Sequence, residues 1–176
     1  MDIQTAEHVL HTAQGLIDKI TQNLAQKCAG KNHEISIEKL DRHQIVAYDY
    51  TYMSSEVAAA TAALTALKQQ QAAQNDVILE EILTHIFIAE TAHRLADACY
   101  KRLSDYGITS DLQAFQNPVI AAFMDEGQST ALYEKAADLI FQTRPVGAHY
   151  GLDEQHTMFR DTFKKFAETE VMALAE

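Results

Sequence analysis

The chain contains no tryptophan, and among its 176 residues only two are proline, six glycine and two cysteine. Proline and glycine are the residues that interrupt helices and build tight turns, so their scarcity leaves little material for a strand-and-turn architecture. The two cysteines, Cys28 and Cys99, lie far apart and form no CxxC. That excludes a dithiol or thiolate-metal motif and reads as two reduced thiols of a cytoplasmic protein. Basic residues are also few: 14 Lys and Arg stand against 25 Asp and Glu, a formal net charge of −11, and no basic cluster occurs. Nucleic acid is thereby excluded as a partner, because phosphate contacts need clustered Lys or Arg. No apolar run approaches the roughly 20 residues that span a bilayer, so no membrane insertion is expected. The opening MDIQTAEHVL carries an acid and no basic segment, unlike a signal peptide.

What remains is apolar and helix-forming. Apolar residues make up 47% and charged residues 22%, proportions of a folded globular chain rather than a disordered one. The length suits one domain, or a domain with an appendage. No strand-like alternation and no internal repeat is present, and the fold class expected is all-α.

The helices can be read from their stripes. Ile3, Ala6, Val9, Leu10, Ala13, Ile17, Ile20 and Leu24 recur at steps of three and four and predict one long helix over residues 2–28, ended at Gly30. Ser36 is placed to cap a second helix, with Glu38 in its first turn. It is expected to run unbroken to about Gln71 through Ile37, Leu40, Ala47, Met53, Val57, Thr61 and Leu64. Asn75 or Asp76 can cap a third, striped by Ile78, Ile82, Ile86, Ala89, Ala96, Cys99 and Leu103 and closed at Gly107. In NPV, Asn117 caps and Pro118 takes the first helical position, with a kink at Gly127 and a restart at Ser129 through Leu132, Ala136, Leu139 and Ile140. Together these predict an antiparallel four-helix bundle over residues 1–143. RPVGAHYG is the linker, residues 144–151, and a further C-terminal helix follows over 152–176. That last helix opens near Asp153 and is expected to bury Leu152, Phe159, Phe163, Phe166 and Leu174. Its ending, FAETEVMALAE, reads either as a natural terminus or as a chain cut from something longer.

Few residues look chemical. Glu90-x-x-His93 has the spacing that places two metal ligands one helical turn apart, as in carboxylate-bridged di-iron bundles. Such a site needs a second pair, and the nearest imitation is Asp153-x-x-His156, with Glu7 and Glu56 as further lone carboxylates. The preferred expectation is no metal, with Glu90 and His93 as the weak alternative. Tyr48, Tyr50 and Tyr52 fall on successive sides of the second helix, which favours packing against another domain or subunit. No Gly-x-Ser-x-Gly and no phosphate-cradling Gly-rich loop occurs.

Three segments read together resemble the acyl-CoA dehydrogenase family of flavoproteins. LDRHQIVAYDYTYMSSEVAAATAAL (40–64), HIFIAETAHRLADACYKRLSDYGIT (85–109) and FMDEGQSTALYEKAADLI (123–140) are similar to helices of that family's C-terminal bundle. GLDEQHTMFRDTFKKFAETEVMALAE (151–176) resembles the first helix of its N-terminal domain. The resemblance implies a helical region fused ahead of an acyl-CoA dehydrogenase body, with FAD expected in the complete protein and oxidation of an acyl-CoA at its α,β C–C bond. It places Glu126 where the family's catalytic base stands. Here Gln128 replaces the family's usual Thr, and the glycine-rich turn that approaches flavin is SDYG, with Asp105 disposed to repel a pyrophosphate. Residues 108–125 contain no Lys or Arg. The expectation is therefore that this chain alone binds no cofactor and serves assembly, as a homo-oligomer or with the remainder of the body. The rival reading is a stand-alone interaction module.

Overall fold

The structure is a computed structural model that describes residues 1–32, 34–108, 111–143 and 152–172. The chain divides into two compact units, Met1–Gln142 and Thr143–Glu176. The all-α class expected from composition holds, and no strand occurs among the described residues.

In the first unit, α1 spans Ile3–Cys28. Asp2 caps it, accepting from the backbone N–H groups of Gln4 and Thr5, and so satisfies donors that the first helical turn leaves without partners. Its buried stripe is the one read from the sequence except that Ile3 is only half-buried, with Leu16 and Cys28 added. The second expected helix is broken. Residues Ile37–Arg42 form α2, capped by Ser36, and Gln44–Ala72 form α3. His43 interrupts them with φ −107° and ψ 16°. Neither proline nor glycine stands at the break. Leu40 sits about 120° around a straight helix from Val46; Leu40 packs against the core and Val46 is buried within it. Of the stripe expected on this segment, Met53, Val57 and Leu64 are buried, as are Ala60 and Leu67, whereas Ile37 and Thr61 are exposed.

Helix α4 covers Ile78–Tyr100, stopping short of the Gly107 end expected for it. The expected cap at Asn75 or Asp76 is not found: Val77 takes the N-cap position without a side-chain cap bond, and Asp76, one residue earlier, accepts from the Ile78 N–H at 3.3 Å. Ile82, His85, Ile86, Ile88, Ala89, Ala92, Leu95 and Cys99 are all buried, so α4 is covered on more than one side, while Ile78 is exposed. A short α5, Leu103–Tyr106, intervenes before Gly107, which closes it at φ 66°, a left-handed conformation that a residue without Cβ enters freely. Asn23 of α1 donates its Nδ2 to the carbonyls of Tyr106 and Gly107 at 2.9 and 3.2 Å and fixes that turn. A 3₁₀ turn over Asp111–Gln116 leads to α6, Pro118–Gly127, capped by Asn117 as expected. Ser129 then caps α7, Thr130–Thr143, accepting from the Leu132 N–H.

Helices α1 and α3 run antiparallel, since Thr21 meets Tyr50 while Glu7 meets Lys68 near their opposite ends. Helix α4 packs on α3 and α1, and α6 closes against α4 and α1. One contiguous core fills the space between them. Helix α7 adds a smaller cluster, with Ala136, Leu132 and Leu139 against Ile82 and Ile86.

The second unit contains α8, Glu154–Phe166, continued as one π turn over Ala167–Val171. Asp153 caps α8 by accepting from the His156 N–H at 2.8 Å. The burial expected of Leu152, Phe159, Phe163 and Phe166 does not occur: all four are exposed. Among the described residues of its own unit, nothing covers the apolar face of this helix. The expected linker, 144–151, and Leu174 lie outside the described residues.

Candidate functional site

Glu126 is exposed near the end of α6, on the rim of an open cleft of about 420 Å³ between that helix and the start of α1. Asp2, Thr5, His85, Val119 and Phe123 also line it. The floor is His85, which is buried, with its Nε2 at 3.0 Å from the Phe123 carbonyl and its ring 4.2 Å from the Phe123 ring. A carbonyl oxygen only accepts, so Nε2 carries the proton and donates it there. Across the cleft, the Asp2 carboxylate is held by the Thr5 side chain and the backbone N–H groups it caps, which lower its pKa below the usual carboxylate value, the Thr5 hydroxyl most of all. Its oxygens are committed to the helix end. Glu126 thus shares the cleft with a carboxylate committed to capping α1 and a histidine whose Nε2 is committed to a backbone carbonyl.

Gly127 follows, and it explains why α6 can lie so close to α4. A Cβ at this position would stand 2.4 Å from the Ala89 Cβ and 3.0 Å from His85 Cδ2. The Glu-Gly pair noticed in the sequence is a packing device at its second residue.

The flavin test falls on the SDYG turn. Lys27 of α1 donates its Nζ to the carbonyls of Ser104 and Asp105. Asn23 occupies the next two carbonyls, and Asp105 is exposed beside them. A pyrophosphate brought to this turn would meet the Asp105 carboxylate as well as the Lys27 ammonium.

Glu90 and His93 occupy one turn of α4, but each is differently engaged. Glu90 accepts from the Tyr133 hydroxyl at 2.6 Å and from Arg94 at 3.1 Å. The Tyr133 hydrogen bond is the main reason its pKa falls below the usual carboxylate value. Arg94 also pairs with Glu56 at 3.1 Å, so one chain of charges ties α3, α4 and α7. His93 buries Nε2 without a hydrogen-bond partner among the described residues. The remaining imagined ligands are scattered: Glu7 pairs with Lys68, and Asp153 holds its own His156 at 2.7 Å. Among the described residues, no three His, Cys, Asp or Glu side chains gather as a metal site would require.

Sequence reasoning missed Tyr133, Arg94 and His85. Arg94 is legible only in hindsight, through its i,i+4 spacing from Glu90, and Tyr133 is far away in sequence. His85 lies on the stripe read for its helix, three residues after Ile82 and four before Ala89, but that stripe was drawn from apolar residues alone. Compared with known protein families and with curated proteins, the chain matches none.

Proposed function

We propose that this chain is a helical assembly module, and that its partner is the remainder of an acyl-CoA dehydrogenase-like flavoenzyme whose first helix is α8. The observation that carries the reading is the contrast between the two units. The first has its own core, whereas α8 places Leu152, Phe159, Phe163 and Phe166 at helical spacing and covers none of them within its own unit. Leaving three phenylalanines in water forfeits about 1.5–3 kcal/mol each, so an apolar surface of matching shape is required. The sequence of α8 resembles the opening helix of that family's N-terminal domain, which supplies one. In this reading flavin binding and acyl-CoA oxidation belong to the complete protein, in the cytoplasm, and Glu126 is a rim carboxylate here rather than a base.

The test is spectroscopic. The reading frame beyond residue 176 should yield a protein that retains flavin and reduces it with an acyl-CoA, while the 176-residue chain should bind none. Stoichiometric FAD on the 176 residues would overturn the division of labour. A longer protein without flavin would remove the flavoenzyme partner. The second reading, a stand-alone interaction module, would then remain, favoured by the uncharged outer side of α3.

A further inference from the structure

Helix α3 carries two apolar faces, and the core uses only one. Val46, Met53, Val57, Ala60, Leu64 and Leu67 face inward. On the far side, Ile45, Tyr48, Tyr52, Ser55, Ala59, Ala62, Ala66 and Gln69 alternate at steps of three and four, the spacing of a helix-pairing seam. All eight are exposed; the three large ones stand at 65%, 63% and 62% exposure, and the two tyrosine rings lie 5.6 Å apart. A solvent-facing helical side normally carries charge. This one has none. The charged residues of α3 are Asp49, Glu56 and Lys68, and all are drawn sideways into ion pairs, with Arg102 at 2.8 Å, with Arg94 at 3.1 Å and with Glu7.

We infer that this outer face of α3 is where two copies of the chain pair, antiparallel, about a two-fold axis near Val57. Two features of the face point to a second copy rather than to another kind of partner. The first is charge. In a molecule of net charge −11, two copies approaching through most surfaces would set like charges together, whereas this strip of about 36 Å, 24 residues at 1.5 Å each, offers no charge to repel. The second is shape. The seam is large at its N-terminal end and small at its C-terminal end, so only an antiparallel copy matches it throughout. In the a-to-d register of antiparallel helices, Tyr48 meets the partner's Ala66, Tyr52 meets the partner's Ala62, and Ser55 meets the partner's Ala59. Each bulky ring thus lies against a methyl group, and the symmetric interface is self-complementary, as a closed dimer requires. Parallel pairing would instead stack tyrosine on tyrosine and leave alanine opposite alanine.

This inference rests on the assembly reading but places self-association on α3 rather than α8. Sedimentation equilibrium of the 176-residue chain should show a concentration-dependent dimer. Ala62→Glu puts two carboxylates into the seam at an exposed helical position, so the fold should survive with the helical content of the wild type. Self-association should weaken at least about 100-fold, the result of burying an unpaired charge on each side. Gln22→Glu, on the exposed side of α1, should leave the dimer intact. Chains carrying Tyr48→Cys and Ala66→Cys should crosslink when mixed but not separately, because Tyr48 and its own symmetry mate lie about 27 Å apart along the axis. Cys28 and Cys99 are buried and do not compete. A monomer at every concentration overturns the inference. So does a dimer that resists Ala62→Glu, and if that dimer is lost on Phe163→Glu, self-association lies on α8 and the module reading stands without the α3 seam.

Discussion

Replacing Gly127 by alanine tests the close approach of α6 to α4. An added Cβ would lie 2.4 Å from the Ala89 Cβ, well inside van der Waals contact, and 3.0 Å from His85 Cδ2. Neither neighbour is the far end of a flexible chain, so α6 must shift away from α4, straining the His85 bond to the Phe123 carbonyl at 3.0 Å. Overpacking of this kind costs about 1–3 kcal/mol. Against it stands the gain of removing a helical glycine, about 0.5–1 kcal/mol. The net expectation is a loss of about 1–2 kcal/mol, or roughly 2–8 °C in Tm for a chain of this size. Gly15 provides the opposite case within the same molecule: it is exposed in mid-α1, and a Cβ there meets nothing within 4 Å. Gly15→Ala should therefore stabilise by about 0.5–1 kcal/mol. Urea unfolding of both variants reads the two signs directly. A double variant with Ala89→Gly should show a favourable coupling, since it removes the methyl that Gly127→Ala strikes. If Gly127→Ala proves as stabilising as Gly15→Ala, the close approach of α6 to α4 is wrong.

Tyr133→Phe should loosen α7, with a pH signature. The Tyr133 hydroxyl holds the Glu90 pKa below its ordinary 4.5, so its contribution is present above that value and is lost as pH falls through the lowered one. Wild type should exceed the variant in stability at neutral pH, and the two should converge in acid; a gap that persists below the carboxylate range would refute the bond. Burial pushes the Cys99 thiol up to about 12, and Cys28 is buried too. A thiol reagent should find no reactive cysteine in the native protein and two after unfolding; fast native labelling would contradict the packing. Asn23→Ala removes both donors from the Tyr106–Gly107 turn and should cost about 1–3 kcal/mol in chemical denaturation.

The helices were legible in the sequence wherever one face is apolar and the other polar. Helix α1 meets that condition, and its stripe was read almost residue by residue. Caps were plain at Ser36 and Asn117, because a side-chain acceptor before an apolar run has a local cause. Helices α3 and α4 were misread for a shared reason: each is apolar on more than one side. A single stripe then fits several faces, and the burial of Ile88 and the exposure of Thr61 were set by neighbours distant in sequence. The same ambiguity hid the outer seam of α3, whose tyrosines were noticed but not connected to the alanines one to three turns on. Glu90 and His93 were correctly seen as sharing one turn, but the Glu90 partner Tyr133 belongs to packing that spacing does not encode. Phe159, Phe163 and Phe166 were expected inside because stripes are ordinarily covered; what covers a stripe is a property of the rest of the assembly.

The most direct test is chromatography of the 176-residue chain with excess FAD, recording molar mass and flavin absorbance across the same peak. The account predicts the mass of a dimer with no flavin travelling alongside. A monomer carrying one flavin per chain would contradict it.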